Sequence, residues 1–198
     1  MNPPYIFKAG SLIYEGYSTD NFIYSIRRGM VKLEYVAPNG DNRIIRLLGE
    51  GSVIGLELLD TAESYYYNAV AIDQVDLCKI PVSTVKHLEV KYPHMSHNIR
   101  EQLQRQLNLA DEWIFSLSTG TAKQRVAHLV RILHENYADN NGAFILLHRD
   151  DMAAIISIAT ETISRMVAKF KRKNILYKSD GHLYKCDISA IEKIAYSK

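Results

Sequence analysis

The sequence predicts an α+β fold in three parts: an antiparallel β-roll, one long helix, and a small helical domain closed by a β-hairpin. Three observations carry this expectation. Short runs rich in β-branched and aromatic residues, broken by glycines, fill about the first 80 residues. The apolar period lengthens to that of a helix after Pro81. Near the C-terminus, two short amphipathic stretches are followed by Asp180-Gly181 between apolar pairs.

The runs Leu12–Tyr14, Phe22–Ile26, Val31–Val36 and Ile44–Leu48 read as strands, with Tyr65–Ile72 and Val75–Ile80 after them. Gly10, Gly16, Gly29, Asn39-Gly40-Asp41 and Gly49-Glu50-Gly51 punctuate them as turns. Val31–Val36 alternates as a half-buried strand should. Many short strands at this spacing build a sandwich, barrel or roll, expected over residues 1–92. Val85, Leu88 and Val90 suggest a short helix, and Pro93 can open the next at its first turn. Over residues 93–118, Leu103, Leu107, Ala110, Ile114 and Leu117 recur at spacings of four and three. That is a seam which packs against a partner helix or against its own domain. Ser118-Thr119-Gly120-Thr121 breaks the helix and is the hinge candidate, opening a domain expected over 119–198. Val126, Leu129, Val130 and Leu133 mark an amphipathic helix, and Phe144–Leu147 a short strand.

A hydrophobic share of 47% and a charged share of 23% suit a soluble globular chain, and no apolar run is long enough to span a bilayer. The opening Met-Asn-Pro-Pro-Tyr has no signal-peptide pattern and lies almost at the first strand. Only Cys78 and Cys186 occur, far apart, which fits a reduced cytoplasmic protein. His94 and His97 share a helix face, but no third ligand lies near, so no metal is expected. No nucleophile–base–acid grouping or phosphate loop is present, so no enzyme and no cofactor are expected. The net charge of +2 is uneven: residues 1–92 sum to −2, 93–146 to 0 and 147–198 to +4. Arg165–Lys178 holds six basic residues and no acid, a composition shared by polyanion-binding faces and solvated helix faces.

The segment from His148 to Leu176 carries function. Met152, Ile155 and Ile156 form the inner face of one short helix, and Ile163, Met166, Val167 and Phe170 that of a second. Ser157-Ile158-Ala159 joins them, as in a helix-turn-helix whose second helix enters the major groove. Thr160, Glu161, Ser164, Arg165 and Lys169 lie off the apolar face and include side chains that read base edges. The Asp180-Gly181 hairpin, expected as a type I′ turn, would form a wing.

Here the sequence resembles the Crp/Fnr superfamily of bacterial transcription regulators. Glu161-Thr162-Ile163-Ser164-Arg165 is similar to the Fnr-type recognition motif. Phe7-x-x-Gly10, Glu15-Gly16, Tyr24-x-Ile26-x-x-Gly29-x-Val31 and Gly51-x-x-Ile54-Gly55 match that family's β-roll glycines in order. The resemblance implies a cyclic-nucleotide-binding-like roll, a dimerisation helix and a winged helix-turn-helix. It also implies a homodimer on double-stranded DNA, with RNA polymerase as a protein partner. The chain departs from the family at Ser157, where glycine is usual, and at Ala159, where Ser or Thr often caps the helix; that candidate cap is lost unless Thr160 caps instead.

The Fnr-like motif implies a palindrome of TTGAT-like half-sites. Arg165 would read guanine and Glu161 a cytosine amine, with Ser164 beside them. Thr160 would disfavour the TGTGA half-site of cyclic-AMP-type relatives, and Arg149 and Lys169 would hold phosphates. For the effector, Tyr65 stands where those relatives place a phosphate-binding Arg, Leu56 follows Gly55 with Glu57 displaced by one, and Ala110-Asp111 replace a hydroxyl pair. Without a cation, cyclic AMP is not expected, nor is 2-oxoglutarate, although Leu56–Leu59 and Tyr67–Ala71 look like the nitrogen-control branch. Two distant cysteines do not ligate an iron–sulfur cluster. The expected pocket comprises Gly55, Leu56, Glu57, Tyr65, Tyr66, Tyr67, Leu107 and Asp111, with Tyr65 and Tyr67 on one strand face and Tyr66 on the other. The tyrosines would either pack the roll or hold an apolar or aromatic effector; an effector-free regulator is the third reading. Two rivals stand beside the DNA-binding one. A metal-dependent roll enzyme would need histidines on the roll, and none of the seven lies in residues 1–86. A roll signalling protein whose helical domain binds protein instead of DNA would fit the same outline.

Overall fold

The computed structural model describes residues 4–40, 42–60 and 62–197, so Asp41 of the expected Asn39-Gly40-Asp41 turn lies outside the described residues. The chain forms two compact units, Met1–Ala110 and Asp111–Lys198. The expected boundary stood at residue 118; the last two turns of the long helix fall in the second unit instead.

Among the described residues of the first unit, eight strands form two antiparallel sheets. They are β1 (Tyr5–Phe7), β2 (Leu12–Tyr14), β3 (Phe22–Arg28), β4 (Val31–Val36), β5 (Asn42–Leu48), β6 (Val53–Ile54), β7 (Asn68–Ala71) and β8 (Val75–Pro81). One sheet runs β1-β8-β3-β6 and the other β2-β7-β4-β5. Ile23, Ile26, Val31, Leu33, Leu48 and Leu77 belong to the buried core. The Tyr14 ring stacks on Tyr65 at 3.8 Å and lies 5.7 Å from Tyr24. Two glycines are required by close approach. A Cβ on Gly29 (φ 89°) would lie 2.5 Å from the Gln74 carbonyl, and one on Gly55 (φ 82°) 3.0 Å from the Phe22 carbonyl and 3.1 Å from the Tyr65 ring.

The expected strand Tyr65–Ile72 is shorter, beginning only at Asn68. Tyr65 leaves the ladder early because its amide donates to the Ser18 carbonyl and its hydroxyl to the Phe22 carbonyl. β4 and β5 carry a bulge: Leu33 pairs with Arg46 but Glu34 pairs with Ile44, leaving Ile45 as the extra residue. Ile44 and Arg46, two apart in sequence, therefore face opposite sides of the sheet. A single 3₁₀ turn at Leu56–Leu59 follows Gly55. Two helices complete the path out of the roll, α1 (Val82–Lys91) and α2 (His94–Ser118).

The second unit opens on the end of α2, where Trp113 and Leu117 are buried. Leu117 was expected on the dimer seam. Within a single chain it is already 4% exposed, so it packs its own unit, whereas Leu103, Leu107 and Ile114 are 46–69% exposed. Phe115, which the spacing did not select, is 74% exposed beside them. A capping box starts α3 (Ala122–Tyr137): the Thr121 hydroxyl accepts from the Gln124 amide, and the Gln124 side chain accepts from the Thr121 amide. Val126 to Leu133 are buried without interruption, including Arg131, which pairs with Glu112 of α2 and Glu135 of its own helix. Then come β9 (Phe144–Ile145), α4 (Arg149–Ile156), α5 (Thr160–Arg172), β10 (Leu176–Lys178), β11 (Leu183–Cys186) and α6 (Ile188–Ala195). β10, β11 and β9 form one antiparallel sheet. α6 had no counterpart in the expectations, although its Asp187 cap and its Ile188-Ile191-Ala195 spacing are both in the sequence.

Candidate functional site

Helices α4 and α5 are joined by three residues, and the joint is tight because Ser157 takes the left-handed conformation (φ 54°, ψ 51°). That is the position where relatives use glycine, so Ser157 makes the same turn at a steric cost. Arg125 of α3 donates to the Ile156 carbonyl at 3.1 Å and satisfies one end group of α4. Ile163, Val167 and Phe170 are buried, while Glu161, Ser164, Arg165 and Lys169 are exposed. With residues four apart on one helix side, these four project from a single surface. α5 ends with Asn174 in the left-handed region (φ 55°) and the Ile175 amide donating to the Phe170 carbonyl, a Schellman closure.

Two expected contacts are arranged differently. Thr160 does not cap α5, whose cap residue Ala159 makes no side-chain bond; the Thr160 hydroxyl donates to Asp150 at 3.0 Å, tying the starts of α4 and α5 together. Arg149 is half-buried, its guanidinium donating to the Leu147 carbonyl at 3.2 Å, and burial holds its pKa below the ordinary arginine value. The wing is present, but its turn is not type I′. Leu183 closes on Asp180, and of the two central residues only Gly181 has positive φ (53°), whereas type I′ needs both. Lys171 ties α5 to the wing, donating to the Tyr184 hydroxyl at 2.8 Å and holding the phenol pKa below its ordinary value.

In the first unit, a cavity of about 460 Å³ is lined from β4, β5, β6, the 3₁₀ turn, the bend before β7 and α2. Its lining includes Gly55, Leu56, Glu57, Tyr66 and Tyr67, together with Leu33, Arg46, Asp60, Leu103 and Gln106. Tyr65 does not: it is fully buried on the core side, and burial pushes its pKa well up. Strand alternation does not sort the three tyrosines because Tyr66 and Tyr67 lie in a bend before β7. Leu107 is 55% exposed; the cavity wall on α2 is instead Leu103, one turn earlier, and the adjacent Gln106. Asp111 is exposed and belongs to the second unit.

Residues 6–91 match the cyclic nucleotide-binding domain family, and residues 124–194 match the Crp-like helix-turn-helix domain. The two matches fall in the order expected for one architecture. The chain belongs to the Crp/Fnr superfamily. It is 25% identical over 175 residues to the fumarate and nitrate reduction regulatory protein of Yersinia pestis, covering 86% of this chain and 67% of that one. To a probable transcriptional activator of Rhizobium leguminosarum bv. viciae it is 24% identical over 192 residues, covering 94% and 79%. The fold matches that of FixK2 from Bradyrhizobium japonicum, with a TM-score of 0.85, 18% identity and 98% of each chain covered.

As a Crp/Fnr member the chain is a transcription regulator with a helix-turn-helix DNA-binding domain. Among the described residues no helix is long and apolar enough to cross a membrane. Of the cavity residues absent from the expected set, Arg46 is the one cation among the described residues. Arg46 supplies a cation to the cavity from β5, opposite Leu33. The bulge at Ile45 hides it from a count of alternating positions.

Proposed function

We propose that the chain is a homodimeric, sequence-specific regulator of a palindrome with TTGAT-like half-sites, acting in the cytoplasm with RNA polymerase as partner and without enzymatic activity. One observation carries the reading: Glu161, Ser164 and Arg165 stand exposed at i, i+3 and i+4 on a helix whose other face is buried. Arg165 reads a guanine and Glu161 a cytosine amine. Lys169 holds phosphate. Arg149 holds phosphate through the guanidinium donors that its bond to the Leu147 carbonyl leaves over. The dimer closes along Leu103, Leu107, Ala110 and Ile114 of α2, and the break at Ser118–Thr121 sets the spacing of the two recognition helices.

Control is by an effector other than cyclic AMP or by none: Tyr65, in the expected Arg position, is buried and already bonded to Phe22. Selection from random duplexes tests the DNA reading. TTGAT palindromes should be enriched, and enrichment of TGTGA half-sites would overturn the assignment of Thr160, Glu161 and Arg165. Retention of no duplex at any salt would favour a helical domain that binds protein.

A further inference from the structure

On α5, Glu161 and Arg165 stand four residues apart with the acid on the N-terminal side, the order in which a helix pairs opposite charges best. The same order and spacing on α2 gives an ion pair, Glu101 with Arg105 at 3.9 Å. Even the reverse order pairs on α3, Arg131 with Glu135. On α5 no such pair forms. The Arg165 guanidinium turns instead to the residue three back, its Nη2 donating to the Thr162 hydroxyl at 3.1 Å. Glu161 is exposed and has neither a hydrogen bond nor an ion pair from its carboxylate among the described residues. One helix face thus carries an acid and a base at pairing distance in sequence, held apart by a hydroxyl.

We propose that Thr162 is a positioning and specificity-determining residue: its hydroxyl draws Arg165 out of the ion pair with Glu161, so that both side chains meet the DNA unpaired. Enough donors remain for this. Of the five guanidinium N–H groups one serves Thr162, and the others can supply the pair that a guanine takes. The Glu161 carboxylate keeps its oxygens for a cytosine amine. Without the hydroxyl, Arg165 closes on Glu161, and that pair has to open before either side chain reaches a base edge. On a duplex lacking those bases nothing is gained by opening it, so the pair stays closed and affinity is unaltered. Thr162 therefore acts on discrimination between duplexes, not on attachment to them. The proposal rests on the reading of Glu161 and Arg165 as base contacts and names the residue that keeps them available.

Thr162→Val, which keeps the shape and removes the hydroxyl, tests it on the full chain. Fluorescence anisotropy compares a TTGAT palindrome with the same duplex in which adenine replaces each half-site guanine. An exposed ion pair of this spacing shifts an equilibrium by about twofold, and two protomers read two half-sites, so affinity for the palindrome should fall about fourfold. Affinity for the substituted duplex should not change. Thr162→Ser, which keeps the hydroxyl, should restore the preference for guanine. In a Glu161→Gln background, where no ion pair can form, Thr162→Val should cost nothing further. Thermal melts establish that each variant is folded, and if Thr162→Val does not fold, Thr162→Ala on the same duplexes decides. Equal weakening on both duplexes would mean that Thr162 holds phosphate or the helix itself, and would overturn the proposal. So would unchanged affinity for the palindrome, no rescue by serine, or the same fourfold loss in the Glu161→Gln background. Arg165→Ala measured beside them separates the two readings. If it loses the preference for guanine while Thr162→Val does not, only the role of Thr162 falls; if the parent chain shows no preference, both fall.

Discussion

The recognition helix and the roll cavity assemble their functional side chains in opposite ways. On α5 the residues proposed to read bases come from one turn and a half of a single helix, and local periodicity places them without any long-range contact. The cavity draws on β4, β5, β6, the 3₁₀ turn after Gly55, the bend before β7, and α2. There a residue's role depends on a bulge, a truncated strand and a helix more than fifty positions away. The difference teaches that a site built from one helix is read from its spacing, whereas a site built from a sheet is read only once the register is known.

Substitutions at the two regions and at the helix between them sharpen this contrast. The largest effect is expected for Leu107→Asp, which would place a charge on each side of the proposed seam at a cost of several kcal/mol. Sedimentation should show monomer and DNA affinity should collapse; a variant that stays dimeric would remove the seam. At the recognition helix, Arg165→Ala should cost about 1–3 kcal/mol in DNA affinity and relax preference at one guanine. Lys169→Ala should weaken all duplexes alike and lower the salt slope by about one. Salt titrations on matched and mismatched duplexes separate the two, and identical behaviour would erase the distinction between reading and holding. In the roll, Tyr65→Phe removes the donor to the Phe22 carbonyl and should cost about 1–2 kcal/mol of stability in denaturant melts, with DNA reading intact in the folded fraction. A variant as stable as the parent would show that Tyr65 does not hold the core as described. The smallest effect is a gain. Ser157→Gly relieves the left-handed strain and should add up to about 1 kcal/mol, seen as a rise in Tm.

The same contrast explains what was legible in the sequence. The two short helices, their buried faces and the three-residue joint follow from where Met152, Ile156, Ile163, Val167 and Phe170 fall. The wing was visible in Asp180-Gly181, but its turn type was not, because the closing bond from Leu183 shifts the centre by one residue. Whether Thr160 caps α5 was open in the sequence for a similar reason: Asp150, ten residues away, takes the Thr160 hydroxyl. In the roll, the glycine pattern indicated the architecture, yet Tyr65–Tyr67 were assigned to faces by an alternation that applies only inside a strand. Arg46 was passed over because the bulge at Ile45 reverses the face to which it points. Leu117 fitted the seam by spacing, and only packing within its own unit shows it to be occupied.

Leu103 lines the cavity and at the same time leaves 46% of its surface open on α2. In the proposed dimer one side chain is then shared by any molecule held in the cavity and by the partner helix. Thermodynamic reciprocity requires that whatever the ligand does to subunit association, association does to ligand affinity. The response threshold of such a regulator would not be a fixed constant. It would shift with the number of copies in the cell, so that gene dosage and effector level are read out together.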